Sequence, residues 1–97
     1  MSSELYNQLE TYANQVIPNL WLGSEDASTI PLEVLKRHNI THILVCAAGL
    51  VQQYPNDITY MQIKAYDIPG YSMIVHFPAC CDFISTALQT GGILVHW

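Results

Sequence analysis

Three cysteines and four histidines give this chain its widest chemical range, and their spacing decides what they can do. Cys80 and Cys81 are adjacent, Cys46 stands apart, and no C-x-x-C occurs. A dithiol redox pair and a thiolate zinc site therefore both lack their usual spacing. His76 and Cys80 lie four residues apart, which puts two donors on one helical face. Two donors do not close a tetrahedral site, so no metal and no cofactor are expected. Cys81 falls on an apolar helical stripe and Cys46 in an apolar strand, and both read as small core residues. A nucleophilic thiol needs an anion-holding loop around it, so Cys80 and Cys81, on a helix face, are not expected to attack anything. His96 is different. It ends the run "GGILVHW", where two glycines lead into apolar residues and Trp97 follows. By residue type alone His96 reads as a core or supporting histidine.

Several elements must position these residues. "SELYNQLETYANQ" places Leu5, Leu9 and Tyr12 at i, i+4 and i+7, the stripe of a short amphipathic helix over 1–15. Pro18 and Asn19 then mark a turn, and Leu20, Trp21 and Leu22 form a short strand ended by Gly23-Ser24. Trp21 is read as a packing residue. "STIPLEVLKRHNI" reads as a helix with Pro31 in its first turn, Lys36 and Arg37 in its last, and Asn39 left-handed just beyond. "ITHILVCAA" is apolar on both alternating faces, the mark of a strand covered on both sides. "ITYMQIKAYD" is a further strand and "IPGYS" a loop. In "SMIVHFPACCDFISTALQTGG", Ile74, Phe77, Cys81, Ile84 and Leu88 make the core face of a long helix that Gly91-Gly92 ends. Pro78 kinks that helix if it starts near Ser72, and falls harmlessly in its first turn if it starts nearer Val75. "ILVHW" is the last strand. Helices lying between apolar strands imply an α/β sandwich with a largely parallel sheet.

Composition narrows the function. The chain has 97 residues, 51 % hydrophobic and 11 % charged, enough for one small domain with a real core. Its formal charge is −5 and its only basic side chains are Lys36, Arg37 and Lys64. That balance speaks against nucleic acid and against an acidic membrane surface as partners. No apolar run reaches spanning length and the polar start shows no secretory signal. Unpaired cysteines then suggest a reducing compartment, cytoplasmic or nuclear.

"VIPNLWLGS", "ITHILV", "ITYMQIKAYD", "HFPACCDFISTAL" and "GGILVH" follow one another in the order and spacing of the small dual-specificity protein phosphatases. The chain resembles that family from Val16 onward. The resemblance implies a phosphotyrosine-phosphatase-like sandwich over 16–97, a partial domain lacking the C-terminal helices. It implies a phosphoprotein as substrate and hydrolysis through a phosphocysteine. In the family a strand ending V-H delivers a cysteine, followed by five residues and an arginine. The loop wraps phosphate with backbone N–H groups at a helix N-terminus. That field favours the thiolate, which attacks phosphorus, while the arginine grips the phosphate oxygens. An aspartate on another loop protonates the leaving oxygen.

Carried over residue by residue, little of this set is present. His96 matches the signature histidine, in a supporting role. Trp97 stands where the cysteine belongs. Asp67 matches the general acid through "Y-x-x-I-x-x-x-D"; taken alone it is a loop aspartate that caps a turn. The arginine and its loop do not occur. The 97 residues are therefore expected to be inactive, either as the N-terminal part of a phosphatase domain or as a non-catalytic, pseudophosphatase-like interaction module. Without covering helices an apolar sheet face is expected to stay open to a protein partner. An indole buried at position 97 would overfill a site shaped for a small side chain, whereas at a frayed end it would matter little.

Overall fold

The computed structural model describes residues 9–63 and 77–97. Five strands form one sheet: β1 (Ala13–Ile17), β2 (Leu20–Gly23), β3 (Ile40–Val45), β4 (Thr59–Gln62) and β5 (Gly92–His96). Among the described residues two α-helices accompany them, α1 (Leu32–Arg37) and α2 (Phe77–Thr90), with 3₁₀ turns at Leu9–Thr11 and Glu25–Thr29. The strand order is β1-β2-β5-β3-β4. Only the β1–β2 pair is antiparallel; β2–β5, β5–β3 and β3–β4 are parallel. The mostly parallel α/β sheet expected from the sequence is what forms, with β5 at its centre.

Both faces of β5 are buried, as its unbroken apolar run requires. Leu94 belongs to one cluster with Trp21, Val34, Leu35, Ile43 and Val45. Ile93 and Val95 belong to the other, with Leu44, Ile63 and Ala87. Each fully buried Leu or Ile here contributes about 1.5–3 kcal/mol.

The start of β5 is fixed from both sides. Asn19 and Asn39 both take positive φ, 71° and 56°. Their carbonyls accept from the amides of Ile93 and Gly92 respectively, each at 2.8 Å. Asparagine tolerates this left-handed geometry better than branched residues do. Gly91 is required at the same corner, because a Cβ there would lie 2.9 Å from both the Asn39 carbonyl and Thr41 Cγ2. Helix α1 is shorter than the sequence indicates: Ser28 and Thr29 belong to the 3₁₀ turn and Pro31 caps the helix rather than lying in its first turn, while Lys36 and Arg37 close it and Asn39 turns the chain into β3 as expected.

Two readings need correction. The helix over 1–15 does not extend through its described part: Leu9–Thr11 is a single 3₁₀ turn and residues 13–15 belong to β1. Pairing with Trp21, Leu22 and Gly23 overrides the weak helical stripe. β1 also crosses the boundary drawn between residues 15 and 16. In α2, Ile84 and Leu88 lie on the packed face as expected, but Cys80 takes the place read for Cys81; the Phe77 side chain is not among those described. Cys81 is exposed, and Cys80, Phe83, Ile84, Ala87 and Leu88 pack against the sheet. Pro78 lies in the first turn of α2, the harmless one of its two placements. Ile74 lies outside the described residues.

Candidate functional site

Parallel sheets present their chemistry at the carboxyl ends of the strands. Here Gly23, His96 and Val45 stand side by side at that edge, His96 in register with both neighbours. The amide of Cys46, one residue past β3, donates to the His96 carbonyl at 2.8 Å. The β5 backbone is thereby held in place up to His96.

The His96 ring is 3 % exposed. Its Nδ1 is buried with no hydrogen-bond partner among the described residues. Burial pushes its pKa below the ordinary histidine value. A neutral, enclosed imidazole packed near Ile43, Tyr54 and Tyr60 fits support of the strand end. Trp97 lies just beyond β5 and is 54 % exposed. It borders a groove with Tyr12, Val16, Leu22 and Ser24. The indole is thus not buried in a space shaped for a small side chain. Asp67 lies outside the described residues, as does His76.

The cysteines are poorly suited to attack. Cys46 is half-buried against the second cluster; burial, and secondarily the charge of Cys80, push its thiol pKa up. Cys80 is raised by burial and then by Cys81. All three thiols are free. Cys46 thus sits at the rim of the core rather than within it. No three His, Cys, Asp or Glu side chains among the described residues gather as metal ligands.

Arg37 is the only arginine in the sequence. It ends α1, at the amino end of β3, whereas His96 aligns with Val45 at the carboxyl end. Five residues of strand at roughly 3.3 Å each separate the two levels by roughly 16 Å. The chain's one guanidinium therefore stands at the wrong end of the sheet to grip a phosphate beside His96.

One positioning residue escaped the sequence reading. Gln62, at the end of β4, donates from Nε2 to the carbonyls of Ala47 and Leu50 at 2.9 and 2.8 Å. Its Oε1 accepts from Gln52 at 3.1 Å. It ties down the loop that leaves β3 beside His96. Its only signal was an amide following Tyr60 and Met61 in the strand. Trp21 is buried as expected, its ring edge-on to His38 at 5.8 Å.

No family model matches the chain. Among curated proteins, it is 38 % identical to dual specificity protein phosphatase 19 of Mus musculus over 89 residues, which is 91 % of this chain and 40 % of that protein. It is 39 % identical to dual specificity protein phosphatase 26 of Homo sapiens, over 88 % of this chain and 43 % of that one. It is 36 % identical to dual specificity protein phosphatase 1 of Arabidopsis thaliana, over 89 % and 46 %. The chain thus spans less than half the length of these relatives. Among solved structures, DUSP15 superposes with a TM-score of 0.73 at 35 % identity, covering 87 % of this chain and 53 % of that one. The human tyrosine phosphatase-like serine/threonine/tyrosine-interacting protein superposes with a TM-score of 0.74 at 29 % identity, covering 88 % and 61 %. Strand order, the His96 strand end and these likenesses agree: the chain belongs to the dual-specificity protein phosphatase family and corresponds to part of its catalytic domain.

Proposed function

We propose that the intact domain to which these residues correspond hydrolyses phosphotyrosine and phosphoserine or phosphothreonine in proteins through a phosphocysteine, and that the 97 residues alone hydrolyse no phosphoester. One observation carries this: the backbone is positioned up to His96, and the next side chain is an exposed indole. An indole forms neither a thiolate nor a phosphoenzyme. The position of Arg37 supports the same reading. Asp67 serves as general acid only where a cysteine and an arginine complete the set. The partner class of the intact domain is a phosphoprotein, with no nucleic acid, membrane or cofactor, and its setting is a reducing compartment, cytoplasmic or nuclear. Among the described residues no helix is long and apolar enough to cross a membrane. The test is release of phosphate from an aryl phosphate across the pH range. None above blank is expected; turnover by the purified chain would overturn the proposal.

A second reading is a pseudophosphatase-like interaction module. The likeness to a phosphatase-like interacting protein favours it, as do exposed apolar side chains at Val16, Ile17 and Trp97. On this reading the open part of the sheet takes a protein partner, and the isolated chain associates in solution. Exclusive monomers with a cooperative melt would contradict it.

A further inference from the structure

His96 lies two residues past Leu94 on β5, so its side chain falls on the same face of the sheet, over the cluster that holds Leu35 and Ile43. The ring is 3 % exposed, and its Nδ1 has no hydrogen-bond partner among the described residues. Folded proteins leave few buried polar atoms in that condition, because an imidazole nitrogen sealed from solvent loses the bonds that water gave it. The ring also borders a cavity of about 10 Å³, which Leu35, Ile43, Gln53, Tyr54 and Tyr60 line with it. A space of that size takes one water molecule, provided that polar groups face it.

Two phenols and the imidazole make this wall polar. Tyr54 Oη donates to the Ile30 carbonyl at 2.6 Å, which leaves lone pairs on its oxygen. Tyr60 Oη accepts from the Tyr54 amide at 3.2 Å, and its own proton has no acceptor among the described residues. Burial, above all, pushes the Tyr60 phenol up from its ordinary pKa, so that proton stays on the oxygen at neutral pH. The cavity wall thus carries a hydroxyl with a proton to give and a ring nitrogen with a bond to make.

We propose that one buried water molecule occupies this cavity and links Tyr60 to His96. It accepts from the Tyr60 hydroxyl, donates one hydrogen to His96 Nδ1 and directs the other to the Tyr54 oxygen. Three bonds are the usual complement of a buried water. The link fixes the ring of His96. Nδ1 is held as an acceptor, so the proton of the neutral imidazole is confined to Nε2. Tyr60 is then a positioning residue that acts on the end of β5 from β4, through water. The site belongs to the 97 residues themselves and stands whether or not the intact domain is a catalyst.

Solution NMR of the isotope-labelled 97-residue chain tests it. The parent is expected to carry its His96 proton on Nε2, with the Nδ1 signal displaced by an accepted hydrogen bond. A cross-peak from a long-lived water to the Tyr60 ring is expected beside it. Tyr60→Phe is expected to abolish that cross-peak and to return the Nδ1 signal to that of a nitrogen with no donor. Tyr12→Phe removes a phenol outside the cavity and is expected to change neither. Far-UV circular dichroism confirms that each variant keeps its fold. A proton on Nδ1 in the parent, no water cross-peak in the parent, or an Nδ1 signal indifferent to Tyr60→Phe overturns the proposal. The parent spectra decide it alone if Tyr60→Phe fails to fold.

Discussion

The amide of Cys46 donates to the carbonyl of His96 at 2.8 Å, tying the carboxyl end of β3 to that of β5. This bond places a thiol-bearing residue next to the strand end at His96, yet the Cys46 side chain packs against the second core cluster. Burial raises its pKa, so little thiolate exists at neutral pH. Labelling with an alkylating reagent, read by peptide mass spectrometry, is expected to modify the exposed Cys81 first and Cys46 last. Fastest labelling at Cys46 would show a reactive thiol that burial does not allow.

The corner where β5 begins depends on two left-handed residues. Asn39→Ala is expected to destabilise the chain by about 1 kcal/mol, the cost of a Cβ-bearing residue at positive φ. Asn39→Gly is expected to be within a few tenths of the parent, about 0.3 kcal/mol, because glycine takes that region freely. Urea midpoints distinguish the two. Equal losses in both variants would show that the asparagine side chain, not the backbone, matters.

Gly91→Ala is expected to cost more. Its Cβ would meet the Asn39 carbonyl at 2.9 Å, and a backbone atom cannot step aside as a side-chain end can. Overpacking of this kind costs about 1–3 kcal/mol. A Gly91→Ala chain as stable as the parent in urea would mean that this corner gives way more easily than its packing implies.

His96 confers a pH dependence whose sign is fixed by its burial. Its folded pKa lies below the ordinary value of 6.5. Below 6.5 the unfolded chain therefore binds a proton that the folded chain resists, and stability falls as pH drops through that region. The loss approaches about 1.4 kcal/mol per pH unit per histidine until the folded pKa is reached. His42, also lowered by burial, adds a like slope. His96→Asn is expected to remove one part of it, measured as urea midpoints between neutral and mildly acid pH. An unchanged slope would mean that His96 ionises in the folded chain as readily as in the unfolded one.

Replacing Trp97 alone does not rebuild an enzyme. Trp97→Cys supplies sulfur beside His96, but Arg37 remains at the far end of β3. Without a guanidinium to grip phosphate, this variant is expected to stay at the blank rate with an aryl phosphate. Substantial turnover from it would show that the arginine and its loop are dispensable.

The parts of the fold that the residues disclose are those where one physical demand dominates. "GGILVH" is apolar on both faces, so its burial at the centre of a parallel sheet follows directly. Asn39 and Pro31 mark the ends of α1 because so few conformations suit them. Elsewhere two demands compete. Ala13, Asn14 and Gln15 continue a plausible helical stripe, and only pairing with β2 makes them a strand. In α2, Cys80 and Cys81 are adjacent and equally apolar, so spacing alone cannot say which one faces the sheet; the packing of Phe83 and Ala87 decides it. At the site, the burial of His96 at the end of β5 follows from the apolar run that it closes. The role of Gln62 was not legible, because its partners are loop carbonyls far along the chain.

Covalent capture tests the proposed inactivity of the 97 residues most directly. The purified 97-residue chain is incubated with a phosphotyrosine peptide, quenched in acid and weighed intact by mass spectrometry. The expected result is the unmodified mass at every time point, because the side chain following His96 is an indole and burial raises the pKa of Cys46 and Cys80. A phosphate adduct localised to Cys46, Cys80 or Cys81 would contradict it.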